Sequence, residues 1–340
     1  MFTVSSVKVS ELAHILGCPN SDVVERLKST QISSLELRSG RIAGVPPEAV
    51  EAFLRKKGRL SLFDNFITLV GANVGGVGKT SATVNLAAAS RRITARSRAV
   101  VIIDTDCQGS ATTQVLGEVI PDHRPVLDDY LSGKAKLEDI LTPVGDEKEN
   151  VWIIGSNLNN IYLDRRFSNA NHIRGIMKGL LTELFDHFDG GAKIFIDTPP
   201  QLSAVTQSAT CALAQMDVRS VFLIPLRADL FSIKGAKICL SSLEDLVSAY
   251  KDVDKINVKC VLSSYDARLK VSSDTMRVLL EDEQLSKYIC NVVVRQNSEV
   301  TKAAMKRENI FTSNSTSNVA SDYLDLAFHI FEDETKAGRE

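Results

Sequence analysis

The stretch VGANVGGVGKTSATVNLA, which runs from Val70 to Ala87, has the residue types of a phosphate-binding turn. Glycines in a short turn let backbone N–H groups surround phosphate oxygens, because no side chain stands in the way. The amides that can do so here belong to Gly75, Gly76, Val77 and Gly78. We therefore predict that this turn binds the phosphates of a nucleotide.

Two polar residues follow the glycines. The Lys79 ammonium group is a point charge for phosphate, and the Thr80 hydroxyl is a ligand for Mg²⁺. The apolar run FITLV precedes the turn and a helical pattern follows it, which predicts a strand, a turn and a helix in that order. The N-terminus of a helix adds its dipole to the attraction for anions.

Three aspartates stand at the ends of two other predicted strands. The buried strand in VVIIDTDCQGS ends with Asp104 and Asp106, and the strand in KIFIDTPPQ ends with Asp197. Ligands of an open parallel sheet bind beyond the carboxyl ends of its strands, so these side chains should face the same crevice as the glycine-rich turn. Carboxylates there are best explained by the handling of Mg²⁺ and water.

Short apolar runs alternate with helical patterns from Asn65 onward. The predicted strands are FITLV, AVVIID, VWIIG, KIFID, VFLIP, NVKCVL and NVVV. Runs of this kind are typical of strands that are buried on both faces, which predicts an α/β fold with a doubly wound, mostly parallel sheet. The segment GDEKEN, from Gly145 to Asn150, is predicted to be a solvated loop.

Residues 1–62 predict a small module ahead of a larger domain at residues 63–340. Two short helices joined by a tight turn are followed by a β-hairpin around Ser39 and Gly40, and a third helix begins at Pro46 or Pro47. This order is the outline of a winged or MerR-like helix-turn-helix.

The charge of this module favours DNA binding. It has nine Lys or Arg and six Asp or Glu, whereas the whole chain has a net charge of -2. A recognition helix near Ser21 to Ser29, with Arg26 and Lys28, would enter a major groove, and Arg38 and Arg41 on the wing would reach phosphates. A helical interaction or dimerisation module remains the alternative.

The composition excludes several other classes. The chain has 340 residues, 44% of them hydrophobic and 24% charged, which is ordinary for a soluble protein with a sizeable core. Its six cysteines are scattered, so neither a zinc site nor a disulfide framework is predicted. The N-terminus lacks a signal peptide and no apolar run reaches the ~20 residues that span a bilayer, so we expect a cytoplasmic protein without membrane contact.

Several segments together resemble the ParA family of deviant Walker-type ATPases, which partition plasmids and chromosomes. These segments are the glycine-rich loop, IIDTDCQGSATT, IFIDTPPQLSAVTQSA and VFLIPLRADLFSIKG. The resemblance covers nearly all of the chain from Asn65 to Glu334, and the N-terminal module is similar to that of larger plasmid-type members, which repress their own operon. It implies a P-loop NTPase that binds ATP and Mg²⁺ and forms a homodimer. It also implies non-specific binding to nucleoid DNA, and a ParB-type centromere-binding partner that stimulates hydrolysis.

The resemblance also implies roles for residues. The phosphates would be held by the segment from Gly75 to Ser81, in which Lys79 is catalytic. Thr80 and Asp197 would serve Mg²⁺, Asp104 would support the magnesium shell, and Asp106 would position the attacking water. The basic residues favoured for non-specific DNA contact are Arg295, Lys302, Lys306 and Arg307. A solvated helix face is the alternative for those four, and the basic stretch SRRITARSR is either a solvated helix end or a DNA contact.

Val74 is the main departure from the family pattern, because the signature lysine should stand at this position. Loss of a cation supplied across a dimer removes transition-state stabilisation, which for trans-supplied arginines amounts to roughly 10³ to 10⁵ in rate. We therefore expect nucleotide binding with slow hydrolysis, or hydrolysis rescued by another basic residue. The rival hypothesis is a DNA-binding regulator that uses nucleotide as a switch with little turnover. Asp106 favours a working ATPase.

Two related branches of the family require features that this sequence lacks. The nitrogenase iron-protein branch needs paired cysteines for an iron–sulfur cluster, and no cysteine here is suitably placed. The MinD branch needs a basic amphipathic helix at its C-terminus for membrane binding, whereas FHIFEDETKAGRE is acidic near its end.

Overall fold

The computed structural model describes Phe2 and residues 6–29, 35–166, 170–250 and 256–332. The start of the predicted hairpin at residues 30–34 and the acidic end at residues 333–340 lie outside the described residues. None of the helices in these described ranges is long and apolar enough to cross a bilayer.

The strands and helices alternate along most of the chain. The strands are β1 Val7–Lys8, β2 Glu36–Arg38, β3 Arg41–Val45, β4 Phe66–Val70, β5 Ala99–Asp104, β6 Leu141–Pro143, β7 Val151–Ile154, β8 Ala192–Asp197, β9 Arg219–Leu226, β10 Val258–Tyr265 and β11 Ile289–Arg295. The helices are α1 Val9–Leu16, α2 Asn20–Lys28, α3 Pro47–Arg55, α4 Lys79–Thr94, α5 Ser110–Leu116, α6 Leu127–Leu131, α7 Leu137–Ile140, α8 Leu163–Arg166, α9 Ala170–His187, α10 Ala204–Gln215, α11 Leu230–Ala249, α12 Lys270–Glu281, α13 Ser298–Met305, α14 Ile310–Asn314 and α15 Asn318–Phe331.

A mostly parallel sheet forms the centre of the chain from β4 onward. In the part of the chain that the structure describes, its eight strands have the order β11-β10-β9-β4-β8-β5-β7-β6, and β6 alone pairs antiparallel with its neighbour. Every residue of β4, β5 and β8 is buried, as expected for strands that are covered on both faces. The predicted mostly parallel α/β sheet is confirmed, and the three-residue edge strand β6 was not predicted.

Helices cover both faces of this sheet. On β8, Phe195 joins the apolar cluster that contains Phe331 of α15, whereas Ile194 and Ile196 join the cluster that contains Leu180 of α9. This alternation follows from the two-residue period of side chains along a strand. The arrangement is that of a doubly wound fold, in which ligands bind beyond the carboxyl ends of the strands.

The N-terminal residues form the short helices and the hairpin that the sequence predicts. Helices α1 and α2 follow one another, β2 and β3 pair antiparallel across Ser39 and Gly40, and α3 begins at Pro47. Leu12, Leu27 and other apolar residues of this region share one cluster with α4 and α15, so the region packs directly against the larger domain. Its role in DNA binding remains a prediction.

The arginines of the basic stretch at the C-terminal end of α4 form ion pairs with other parts of the protein. Arg91 is fully buried and donates to Glu149 over 2.6 Å, and Arg96 donates to the other oxygen of that carboxylate over 2.5 Å. Arg92 donates to both carboxylate oxygens of Glu11 on α1, at 2.8 and 2.9 Å. The predicted solvated loop is exposed from Gly145 to Lys148, whereas Glu149 near its end is buried. Arg91 and Arg92 are therefore held in ion pairs inside the protein and not at a solvated helix end, whereas the side chain of Arg96 is 40% exposed.

Candidate functional site

The glycine-rich loop joins the end of β4 at Val70 to the start of α4 at Lys79. Gly75 and Gly76 are exposed, and a Cβ atom added at either would meet no atom within 4 Å. Gly76 and Gly78 have φ values of +72° and +93°, which residues with side chains rarely adopt. The sequence thus places an open loop, whose exposed glycines have no side chains, directly before the positive end of a helix, which is a site for an anion.

Lys79 opens α4 beside this loop. It is 8% exposed, and its Nζ donates to the Val74 carbonyl oxygen over 3.3 Å. Burial lowers the pKa of Lys79, while the nearby carboxylates of Asp197 and Asp106 act in the opposite direction. A largely buried ammonium group at a helix N-terminus is electrostatically unfavourable on its own, so this arrangement suits a bound anion.

Val74, in the middle of the glycine-rich loop, packs against α11. A Cβ atom on Gly235 of α11 would lie 2.2 Å from Val74 Cγ2, so the valine fills the space that this glycine leaves open. The contact fixes the loop against α11. The Val74 side chain brings no charge to the loop, which therefore relies on Lys79 and backbone amides.

The two strand-end aspartates Asp104 and Asp197 lie side by side. They are register partners in the β5–β8 pairing, and Asp197 is also the partner of Val70 on β4. Thr80 Oγ1 donates to Asp197 Oδ2 over 2.8 Å, and Thr83 Oγ1 donates to Asp197 Oδ1 over 3.1 Å. The structure thereby brings together Thr80, Asp104 and Asp197, the three residues predicted to serve a metal.

Burial and neighbouring carboxylates perturb these two carboxyl groups. Burial raises the pKa of Asp197 to about 7, with a further contribution from Asp104. Burial also raises the pKa of Asp104 to about 6, against hydrogen bonds from the Thr112 hydroxyl and amide at 2.7 and 2.8 Å. Two adjacent buried carboxyl groups of this kind attract either a proton or a divalent cation.

The donor set suits Mg²⁺ bound together with a phosphate. Within the described part of the chain, no group of three or more His, Cys, Asp or Glu side chains is arranged to hold a metal ion. Magnesium needs fewer protein ligands, because it is usually bound by one or two carboxylates plus substrate phosphates. Thr80 and Asp197 provide a hydroxyl and a carboxylate of the kind that this role requires.

Asp106 is the most accessible of the three aspartates. Its carboxylate accepts from the Gln108 amide over 2.9 Å, and its backbone carbonyl accepts from Ser156 Oγ over 2.7 Å. These bonds fix the loop after β5 while leaving the carboxylate half-exposed. A carboxylate at the edge of a phosphate site can orient a water molecule there.

Sequence reasoning missed the hydroxyl residues that orient the aspartates. Thr83 stands one helical turn after Thr80, so its spacing could have revealed that both face Asp197. Thr112 follows the Asp106 loop in the segment GSATT, which gives a weaker signal. The bond from Ser156 joins residues that are 50 positions apart, and nothing local indicates it.

The predicted DNA-binding residues of the N-terminal region lie on α2 and on the β2–β3 hairpin. Arg26 and Lys28 are on α2, and Arg38 and Arg41 are register partners at the end of the hairpin. Lys28, Arg38 and Arg41 are exposed and Arg26 is half-buried.

The four cations predicted for non-specific DNA contact divide into two pairs. Arg295 is held by Asp322, with its Nε 2.9 and 3.0 Å from the two carboxylate oxygens, and Lys302 Nζ donates to Glu299 over 2.8 Å. Lys306 and Arg307 are exposed in the turn between α13 and α14. The second pair is therefore the better candidate for a phosphate contact.

Comparison with known proteins identifies the family. A family model described as an AAA domain matches residues 66–258, which is more than half of the chain. The chain belongs to this AAA-domain family. The match begins at β4, so the N-terminal region lies outside it.

Curated relatives of this chain include a ParA family protein of Chlamydia pneumoniae, which is 25% identical over 252 residues that cover 74% of this chain and 92% of that protein. The sporulation initiation inhibitor protein Soj of Bacillus subtilis is 26% identical over 257 residues, which cover 74% of this chain and 93% of Soj. The cell division protein PomZ of Myxococcus xanthus is 24% identical over 266 residues, which cover 78% of this chain and 75% of PomZ.

Solved structures share the fold. Apo McdA of Cyanothece has a TM-score of 0.64 at 16% identity, over 78% of this chain and 100% of that one. The septum site-determining protein MinD of Pyrococcus horikoshii, complexed with Mg-ADP, has a TM-score of 0.54 at 20% identity, over 81% of this chain and 97% of that one. The AAA-domain region thus shares the fold of these two proteins.

Proposed function

We propose that this protein is an ATP-dependent partition ATPase that positions DNA. It binds ATP with Mg²⁺, pairs as a homodimer, binds nucleoid DNA non-specifically and responds to a ParB-type centromere-binding protein. Its N-terminal module binds operator DNA and represses its own operon. The observation that carries the proposal is the meeting of Lys79, Thr80, Asp104, Asp106 and Asp197 beside an open glycine loop. The relatives support it, since one from Treponema pallidum, 25% identical, is named a chromosome-partitioning ATPase.

Each residue of the site has a role in this proposal. Backbone amides from Gly75 to Ser81 hold the phosphates, and Lys79 adds a positive charge close to them. Thr80 and Asp197 hold Mg²⁺, and Asp104 fixes their surroundings through its register with Asp197. When bound, the ion neutralises phosphate charge. The half-exposed Asp106 carboxylate orients the attacking water.

A second candidate function rests on Val74. Because this side chain packs against Gly235 and bears no charge, the protein could act as a DNA-binding regulator that is switched by nucleotide without turning it over. The two candidates make the same prediction for binding of nucleotide and different predictions for its hydrolysis.

ATP turnover separates the two candidates. It should be measured for the protein alone, with plasmid DNA, and with DNA plus the ParB-type partner. The partition proposal expects turnover above background in the last mixture, and loss of turnover with retained ATP binding in Asp106→Ala. Turnover that stays at background in every mixture but appears in Val74→Lys, and not in the matched Val74→Met, would establish the regulator instead.

Exposed apolar side chains on both sides of the site support the homodimer. Leu230 and Phe231, which open α11 after β9, are 78% and 81% exposed. Leu158 and Ile161, which follow β7 on the other side, are 67% and 63% exposed. Exposed apolar groups that flank a ligand site are typical of a surface that is covered by a partner.

Sedimentation with Mg-ATPγS tests this dimer. We expect the wild type to dimerise when the nucleotide is present and Phe231→Asp to remain monomeric. Leu280→Asp is the matched control, because Leu280 is 57% exposed on α12, away from the two flanking groups. Dimerisation of Phe231→Asp equal to that of the control would exclude this surface.

The two proposed DNA surfaces are tested by point variants. Deletion of residues 1–62 would uncover the apolar cluster shared with α4, so charge reversals are the better test. Lys28→Glu and Arg41→Glu should weaken binding to the DNA upstream of the protein's own gene and leave scrambled DNA unaffected. Lys306→Glu and Arg307→Glu should weaken both. If the first pair also abolishes binding to scrambled DNA, the assignment of the surfaces is wrong.

A further inference from the structure

The turn that carries Lys306 and Arg307 is bonded to α4, the helix that begins at the glycine loop. Asn85 on α4 is 1% exposed, and its Nδ2 donates to the Ser81 carbonyl oxygen over 2.8 Å. Its Oδ1 accepts from the Ile310 backbone amide at the start of α14, also over 2.8 Å. One buried side chain therefore connects the first turn of α4 with the end of this basic turn.

The same turn is bonded to α5, the helix that follows the Asp106 loop. Gln114 on α5 is 8% exposed, and its Nε2 donates to the Glu308 carbonyl oxygen over 3.1 Å. The Arg307 side chain lies across Gly117 at the end of α5, where an added Cβ would be 3.0 Å from Arg307 Nη1. A guanidinium group is favoured there, because the C-terminal end of a helix carries partial negative charge.

Helices α4 and α5 are each also bonded to one of the two strand-end aspartates. On α4, Thr80 Oγ1 donates to Asp197 over 2.8 Å. On α5, Thr112 Oγ1 donates to Asp104 over 2.7 Å. Each strand-end aspartate is thus connected through one helix to the turn at residues 306–310.

We propose that Asn85 and Gln114 are positioning residues that couple the nucleotide site to the basic turn at residues 306–310. Binding of Mg-nucleotide changes the relative placement of α4 and α5, and the two amide side chains carry that change to Lys306 and Arg307. The affinity of these two cations for DNA phosphates changes with it. This inference rests on the proposed function, because it takes the loop as the nucleotide site and the turn as a DNA contact.

The bonds suit this role because the two amide side chains that make them are buried. A buried amide that loses its partner is left unsatisfied, so the Asn85 and Gln114 side chains must follow the backbone groups that they bind. Lys306 and Arg307 are exposed, so water can solvate their charged groups whatever their position. Movement of the helices therefore reaches the turn through the two amides.

The test compares DNA binding with and without nucleotide in the full chain. Affinity for a scrambled DNA duplex is measured by fluorescence anisotropy, with and without Mg-AMPPNP. We expect the nucleotide to raise the affinity of the wild type about tenfold, within the usual range of allosteric coupling. Gln114→Ala and Asn85→Ala should keep the nucleotide-free affinity for DNA and the affinity for Mg-AMPPNP, and lose most of the gain.

Hydrogen exchange provides a readout that does not depend on DNA. Mg-AMPPNP should slow exchange of the backbone amides at residues 306–310 in the wild type and not in Gln114→Ala. Asn257→Ala is the control for removal of an amide outside this network, because the exposed Asn257 side chain donates to the Ser220 carbonyl oxygen over 3.1 Å near the start of β9 and β10. It should behave as the wild type does.

The possible failures are distinguishable. If the wild type does not bind Mg-AMPPNP, the proposed function fails and the inference fails with it. If nucleotide is bound and the gain in DNA affinity survives in both variants, the positioning role is overturned and the proposed function stands. Equal loss of DNA affinity with and without nucleotide would show a static contact and would also overturn the coupling.

Discussion

The two ends of α4 use their cations in opposite ways. At the C-terminal end, Arg91 is fully buried and paired with Glu149 over 2.6 Å. At the N-terminal end, Lys79 is nearly as buried, but its hydrogen-bond acceptor is a backbone carbonyl at 3.3 Å. The helix dipole favours a cation at the first of these places and disfavours one at the second. The arginine therefore serves folding, whereas the lysine is placed for an anion that the protein binds.

Loss of the buried arginine should have the largest effect on stability. Arg91→Ala leaves the Glu149 carboxylate buried with Arg96 as its remaining partner, and breaking a buried pair in this way costs about 3 kcal/mol of unfolding free energy. Chemical denaturation without nucleotide measures it. The double variant Arg91→Met/Glu149→Leu should recover most of the loss. A loss below about 1 kcal/mol for Arg91→Ala would mean that the pair is not structural.

Acid should weaken the binding of Mg-nucleotide. The raised pKa values of Asp197, about 7, and Asp104, about 6, mean that these groups take up protons as the pH falls from 8 to 6. The metal requires the ionised form, so we expect affinity to fall about tenfold per pH unit once protons compete. Calorimetry at several pH values measures this. Affinity that stays constant over this range would contradict the assignment of the two carboxyl groups to the metal.

The same raised pKa values should make the nucleotide-free protein less stable as the pH rises. The folded state keeps protons that the unfolded state has already released above its ordinary pKa near 4. The stability of the free protein should therefore fall as the pH rises from about 4 to 7. Asp197→Asn should reduce this slope.

The contact between α1 and α4 should show a smaller coupling. Glu11 and Arg92 are 8% and 11% exposed and form a bidentate pair, so a double-mutant cycle with alanine should give an interaction energy of about 1 kcal/mol. Lys28→Ala paired with Arg92→Ala is the control cycle, which should give none. An absent coupling between Glu11 and Arg92 would mean that the N-terminal region is held by apolar contacts alone.

The smallest effect is expected at the pair between His14 and Asp325. The hydrogen bond to Asp325 raises the pKa of His14, so the pair stabilises fully below the ordinary histidine pKa of 6.5 and is lost as the pH rises through the raised value. Both side chains are about two-fifths exposed, which limits the contribution to about 0.5 kcal/mol. Denaturation of His14→Gln at pH 5.5 and pH 8.5 should differ from the wild type only at the lower pH.

Features that depend on local sequence patterns could be predicted, whereas contacts between distant residues could not. The glycine loop, Lys79 and the strand-end aspartates are local patterns, and a parallel sheet necessarily brings the carboxyl ends of its strands together. The burial of Glu149 was not predicted, because its partner Arg91 is 58 positions away and no local pattern indicates such a contact. Arg295 was predicted to contact DNA because its partner Asp322, which is 27 positions further along the chain, could not be recognised from the sequence.

Calorimetric titration with Mg-ATP tests the central claim most directly, which is that the loop ending at Lys79 binds a nucleotide triphosphate. The account predicts that the wild type binds and that Lys79→Ala binds about 100-fold more weakly, which is about 2.7 kcal/mol, without unfolding. A wild type that binds neither ATP nor GTP when Mg²⁺ is present, or a Lys79→Ala variant that binds as tightly as the wild type, would contradict it.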